Sequence, residues 1–290
     1  MSRLRLIHTT TYEYSQPVWP GEHRLIVRPR EGHDLRVDAF EVRLEPAARI
    51  EWTRDIFGNS VAWASDFVEA SPRLHIVTEA LLWRTLADPS PRPADLAAWP
   101  VAYDPLEASV ADAYRALVYP ADQTAVRAWL QAGAPTHPSS SLDAIEQLCR
   151  RIRADIAYAR RAEKGVYTPA QTLALRSGSC RDMAALFLEA GRLLGFAMRF
   201  ASGYLECEAS RAGEASTHAW VEAYLPELGW RGFDATAGTA TTAGHIVAGV
   251  SNHPRGVMPI TGLYHGDGAK ALGLTVSVRT ERLDEAPNAA

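Results

Sequence analysis

Apolar and polar residues alternate over the first 85 positions. "RLRLIHTTTYEYS", "HRLIVRPR", "LRVDAFEVRLEP", "RIEWTRDIFGNSVAWASDF" and "RLHIVTEALLWRT" each keep a period close to two, and Val, Ile, Thr, Tyr and Trp dominate them. Pro, Gly or Asn punctuates the runs. Strands at this spacing, with no helical period between them, predict an antiparallel β-sandwich. "FGNS" (Phe57 to Ser60) reads as a hairpin turn in which Asn59 takes a left-handed conformation at low cost. From Ala87 to Pro105 the chain becomes "ADPSPRPADLAAWPVAYDP", which is proline-dense and reads as a linker.

The period then lengthens. "SVADAYRALVY", "TAVRAWLQAG" and "LDAIEQLCRRIRADIAYAR" repeat their apolar positions every three or four residues. In the third, Leu142, Ile145, Leu148, Ile152 and Ile156 describe one buried stripe, and Cys149 beside it reads as core filler. After residue 196 the period of two returns in "MRFASGYLECE", "STHAWVEAYL" and "GWRGFDAT". The predicted class is α+β: a β-rich domain over residues 1–86, a linker over 87–105, and a domain of helices and antiparallel strands over 106–290.

"RSGSCRDMAALFLEAG" sets a cysteine between a Gly/Ser turn and an apolar helical run. Ser179 and Asp182 form a capping-box pattern, which places Cys180 in the first turn of a helix. That helix is apolar on most sides and therefore central. Free backbone N–H groups and the positive end of the helix dipole favour a thiolate there. Such a thiolate needs a base. Among nine histidines, His8 and His75 fall in predicted strands, and His137 and His253 stand beside prolines in loops. His218 is different. In "STHAWVEAYL", Ala219, Val221, Ala223 and Leu225 line one face of a strand, and His218, Trp220, Glu222 and Tyr224 line the other. After a short turn comes Asp234. If it pairs across from Trp220, or at any register of that parity, its carboxylate emerges on the face that carries His218. Cys180, His218 and Asp234 would then be nucleophile, base and orienter.

Composition narrows the picture. At 290 residues, with 47% hydrophobic and 22% charged residues, the chain is of globular type. A net charge of −4 gives no electrostatic case for nucleic acid. No apolar run approaches the roughly 18–20 residues that a membrane helix needs, and the first residues read as a strand instead of a signal peptide. Three cysteines, an odd number, argue against a disulfide framework and point to a cytoplasmic location. Cys180, Cys207 and His218 lack the spacing of a zinc site, so neither metal nor cofactor is expected.

"GSCRDMA" (178–184), "THAWVEAYLPELGW" (217–230) and "FDAT" (233–236) resemble the three blocks of the transglutaminase-like superfamily of papain-fold cysteine enzymes. "DIFGN" (55–59) and "HRLIVRPR" (23–30) resemble the β-rich N-terminal domain of its bacterial branch, and "GHIVAGVSNHPRGVMPITGLYHG" (244–266) is similar to that branch's closing segment. The resemblance implies a Cys–His–Asp triad on Cys180, His218 and Asp234, within a papain-like core behind the sandwich. It also implies a peptide or protein amide as substrate, cleaved through a thioester by water, with transfer to an amine or simple peptide binding as the other readings. Tyr158 in "DIAYAR" resembles the aromatic position that precedes the cysteine, and is the candidate second oxyanion donor beside the Cys180 N–H. Gln171 would be its papain-like counterpart, though nothing in the sequence anchors it. Ala235 replaces the proline that often follows the aspartate, and "SNHPRG" replaces an Arg-Asp-aromatic run, which puts substrate contacts of that loop in doubt.

Overall fold

The computed structural model describes residues 2–85, 96–133, 135–161 and 165–283. The first five strands are β1 (Ser2–Leu25), β2 (Leu35–Glu45), β3 (Arg49–Arg54), β4 (Ser60–Ser65) and β5 (Ser71–Arg84). Helices α1 (Pro105–Arg115), α2 (Gln123–Gln131) and α3 (Ser141–Asp155) follow. Next come β6 (Ala157–Tyr158), α4 (Pro169–Leu175), β7 (Ser177–Gly178), α5 (Cys180–Leu193), β8 (Met198–Leu205) and α6 (Glu208–Ala212). The chain closes with β9 (His218–Leu225), β10 (Gly229–Asp234), β11 (Thr239–Ala240), β12 (His245–Ser251), β13 (Ile260–His265) and β14 (Ala271–Leu283).

Strand β1 is the spine of the first sheet. Two of the alternating runs expected as separate strands merge into this one element of 24 residues. Its first half pairs with β5 and β14, and its second half with β4 and β13, all antiparallel. The order is β2-β5-β1-β4-β3, with β13 and β14 both joined to β1. Along the first half, Leu4, Leu6, His8 and Thr10 point inward at a period of two. Leu4 and Leu6 pack with Tyr204, Ile246 and Ala248 of the second sheet, whereas Tyr14, Val18 and Leu25 fill the first sheet's own core with Leu74 and Ile76.

The second sheet is antiparallel, ordered β11-β10-β9-β8-β12. Helix α5 lies on it, nearly every side chain from Asp182 to Arg192 being buried. Phe187, Met183 and Leu186 meet Ala219, Val221 and Ala223 of β9 and the α3 stripe in the main core. Cys149 is part of that core, as its position beside the stripe predicts, and burial pushes its thiol up to about 12.

Besides the merger in β1, the structure differs from the sequence reading in five places. Residues 260–283, assigned with the second domain, return to the first sheet, where they pair the side of each half of β1 that β5 and β4 leave open. Of the linker, residues 87–95 lie outside the described residues. Its remainder is packed: Ser141 donates to the carbonyls of Ala97 and Ala98, and Trp99 stacks on Phe196 at 5.3 Å. In the β3–β4 hairpin the left-handed residue is Gly58 (φ 72°), not Asn59. The third helical run stops at Asp155, with Ile156 extended but still buried. The strand run "MRFASGYLECE" stops at Leu205, and Cys207 caps α6. Among the described residues no helix is long and apolar enough to cross a membrane.

Candidate active site

Three elements converge at one end of the second sheet. Cys180 opens α5, His218 opens β9 and Asp234 closes β10. The register of β9 on β10 pairs Phe233 with Val221, and its continuation sets Asp234 opposite Trp220, the parity that the alternation of the two strands requires. The carboxylate then meets the imidazole diagonally: His218 Nε2 lies 2.7 Å from Asp234 Oδ2. The Cys180 sulfur stands beside the same imidazole and favours its charged form. Since Nε2 serves Asp234, Nδ1 is the nitrogen left for the sulfur.

The approach to Cys180 is rigid. Helix α4 is capped by Thr168, whose backbone N–H donates to Gln171 Oε1 at 2.9 Å, so the Gln171 oxygen is committed to the capping box. The helix ends at Arg176 in the left-handed region (φ 49°), a costly conformation for a residue with a Cβ, and the chain turns there into β7. Gly178 is required by close approach: a Cβ there would lie 2.8 Å from Asp182 Cβ. Asp182 itself has two jobs. It caps α5 by accepting from the backbone N–H and the hydroxyl of Ser179, both at 2.8 Å. It also takes both arms of Arg161 (2.8 and 2.9 Å) and the Tyr167 N–H (2.7 Å). Burial opposes its charge, but these donors win and hold the carboxyl below its ordinary value.

Tyr158 is brought to the same place by a two-residue parallel ladder in which it pairs with Gly178. It is half-exposed. Partial burial, and after it the nearby Cys180 sulfur, raise its phenol above the ordinary range. Trp220, buried in the sheet, walls the site, its ring 6.0 Å from that of His218.

His245, at the start of β12, was not singled out by sequence reasoning. Its Nε2 lies 3.2 Å from the same Asp234 Oδ2 that serves His218. The other carboxylate oxygen accepts from the backbone N–H and the hydroxyl of Thr236, at 2.8 and 2.7 Å. Burial again opposes the charge, but the bonds with His218 and His245 outweigh it, so Asp234 stays well below the usual carboxylate range. For His218, burial favours the neutral ring. The Asp234 bond and the Cys180 sulfur overcome it and raise the imidazole from 6.5 to about 10.

The ligand atoms of His218, Asp234 and His245 lie within 4.8 Å of one another, a donor set of the kind that divalent cations use. Two of them are committed elsewhere, since the imidazole protons point at the carboxylate.

Residues 4–81 match the bacterial transglutaminase-like N-terminal region, and residues 128–235 match the transglutaminase-like superfamily. An uncharacterized protein of Mycobacterium leprae is 26% identical over 288 residues, covering 96% of this chain and 99% of its own. One from Mycobacterium tuberculosis is 28% identical over 284 residues, covering 91% and 88%. The crystal structure of a candidate cysteine protease from Cytophaga hutchinsonii superposes with a TM-score of 0.74 at 16% identity, covering 99% of this chain and 93% of that one. At that identity the likeness is one of fold.

Proposed function

The chain belongs to the transglutaminase-like superfamily, and from that membership and the site geometry we propose that it is a cysteine-dependent hydrolase of amide or peptide bonds. The observation that carries this reading is the 2.7 Å bond between His218 and Asp234 beside a thiol at a helix N-terminus. With the basicity of His218 raised to about 10, the imidazole takes the thiol proton of Cys180 and leaves a thiolate beside an imidazolium. The sulfur adds to the acyl carbon. The oxyanion that forms is met by the Cys180 backbone N–H and, on this reading, by Tyr158. Imidazolium then gives its proton to the leaving amine, and a thioester remains on Cys180. The ring, now neutral, takes a proton from water, which attacks the thioester and frees the acid. Asp234 keeps the ring oriented and stabilises its charged form throughout.

The Cytophaga hutchinsonii structure, itself a candidate cysteine protease, supports this reaction class for a chain of the same fold. Three free cysteines fit a reducing compartment, and we place the protein in the cytoplasm on that ground.

The test is turnover of peptide, glutamine and acyl-amine donors by the purified protein and by Cys180→Ala. Loss of a triad member should cost about 10³-fold or more. Equal turnover by both proteins would remove the mechanism. Adding hydroxylamine separates the acceptors: free acid as the dominant product identifies a hydrolase, and hydroxamate in its place identifies transfer to an amine.

A further inference from the structure

Asp234 Oδ2 is shared by two imidazoles, and the second has a defined tautomer. The backbone N–H of Thr242 donates to His245 Nδ1 at 3.1 Å. That nitrogen therefore offers a lone pair, so the ring proton sits on Nε2 and is directed at Asp234 Oδ2, 3.2 Å away. Trp220 meets the His245 ring in a T-shaped contact, with centroids 5.2 Å apart and planes at 80°. The side chain of His245 is only 7% exposed. Its surroundings are built from four directions: β9 supplies His218 and Trp220, β10 supplies Asp234, the 241–244 loop supplies Thr242, and Cys180 with Tyr158 lies beyond His218.

The loop is itself fastened from the first sheet. Arg84 of β5 donates to the Ala243 carbonyl at 2.6 Å and to Glu206 at 2.6 Å, and the Glu206 backbone N–H donates to the Gly244 carbonyl at 2.8 Å. Arg84 and Glu206 are both buried, and Arg282 of β14 closes on the other oxygen of Glu206. A chain of directional contacts thus runs from the N-terminal sheet to the base.

We propose that His245 is a positioning residue of the Cys180 site: a neutral imidazole that donates to Asp234 Oδ2 and so fixes the carboxylate against His218. This rests on the reading of Cys180 as the nucleophile. With Thr236 on Oδ1, the carboxylate has a donor on every side and cannot turn away from the base. The same contacts disfavour a cation between the two histidines. A metal would need a bare Nε2 on His245 and hence a proton on Nδ1, which would face the Thr242 N–H donor to donor.

Two measurements decide it. In ¹⁵N-histidine-labelled protein, the His245 ring should carry its proton on Nε2 and leave Nδ1 bare. A doubly protonated or Nδ1–H ring would overturn the proposal. Iodoacetamide alkylation at pH 6, resolved by peptide mass, is the second. Loss of one hydrogen bond to a charged group corresponds to roughly 10–100-fold, and Cys180 should slow by that factor in His245→Phe. It should stay within a few-fold of wild type in His245→Gln, which keeps a donor, while Cys207 is alkylated equally in all three proteins. An unchanged rate in His245→Phe, or equal losses in both variants, would overturn it. So would slowing by added Zn²⁺ with metal-shifted His245 resonances. A wild-type Cys180 no faster than Cys207 would instead sink the nucleophile reading, and the tautomer spectrum keeps the two failures apart.

Discussion

Asn59 shows how much one buried polar side chain can tie together. It is fully buried. Its amide nitrogen donates to Asp55 Oδ2 and to the Val250 carbonyl, both at 2.8 Å, and its oxygen accepts from the Val250 N–H at 2.9 Å and from Arg30 at 2.6 Å. The turn of the first sheet is thereby stitched to β12, the strand that begins with His245. Replacing Asn59 with Ala leaves both backbone groups of Val250 unpaired, at about 1–3 kcal/mol each. Urea unfolding of Asn59→Ala should show a loss of about 2–4 kcal/mol. A loss below about 0.5 kcal/mol would mean that water replaces the amide. At this scale the sequence was partly legible. The start of α5 at Cys180 and the meeting of His218 with Asp234 could be read because a capping box and the parity of two neighbouring strands fix side-chain direction. Asn59 and His245 could not, since their partners lie on strands about 190 and 11 residues away whose pairing no local pattern specifies.

Helix α5 is legible as an element and depends on one carboxylate at its head. Asp182 is fully buried and Arg161 nearly so, which makes this a buried ion pair with five donors on one side chain. Breaking such a pair from one side costs roughly 3–5 kcal/mol because the remaining charge is stranded. Arg161→Met should therefore lower stability by about that amount and slow alkylation of Cys180, which stands two residues from Asp182. Hydrogen exchange should show faster opening of the first turn of α5 and unchanged protection of β9. Equal exchange throughout would show that the capping contacts from Ser179 suffice. Of the other elements, strands with strict alternation and helices with a clear stripe could be read from sequence. Helix α4, seven residues long, and the two-residue ladder of β6 with β7 could not, being too short to establish a period.

Across the whole molecule, two histidines set opposite pH limits. His8 lies where the sheets pack, its ring nitrogens 3.2 Å from the Tyr204 hydroxyl and 3.0 Å from the Thr10 hydroxyl, and burial lowers it to about 4. Its unfolded form takes a proton near 6.5 and the folded form resists until about 4, so stability falls as pH drops through that interval. His218 runs the other way. Raised to about 10, it contributes fully below 6.5 and loses that contribution as pH climbs from 6.5 to 10. Thermal unfolding should thus be highest near pH 6.5. His8→Gln should flatten the acid side, and His218→Gln the alkaline side. A profile unchanged by either substitution would show that other groups govern it. The shift of His8 could not be seen from its neighbours in sequence, because it comes from packing against Tyr204, 196 residues away.

Strand β1 has a consequence for the order of events during synthesis. Residues 3–14 hydrogen-bond along one flank to residues 271–283, and residues 19–25 to residues 260–265. Strand β1 therefore leaves the ribosome well before the two strands that complete its flank. Until they emerge, a flank of some twenty residues stays unpaired, offering backbone donors and acceptors to any other extended chain. Chains stalled before residue 260 should be held by chaperones or aggregate, while the finished chain closes its own seam.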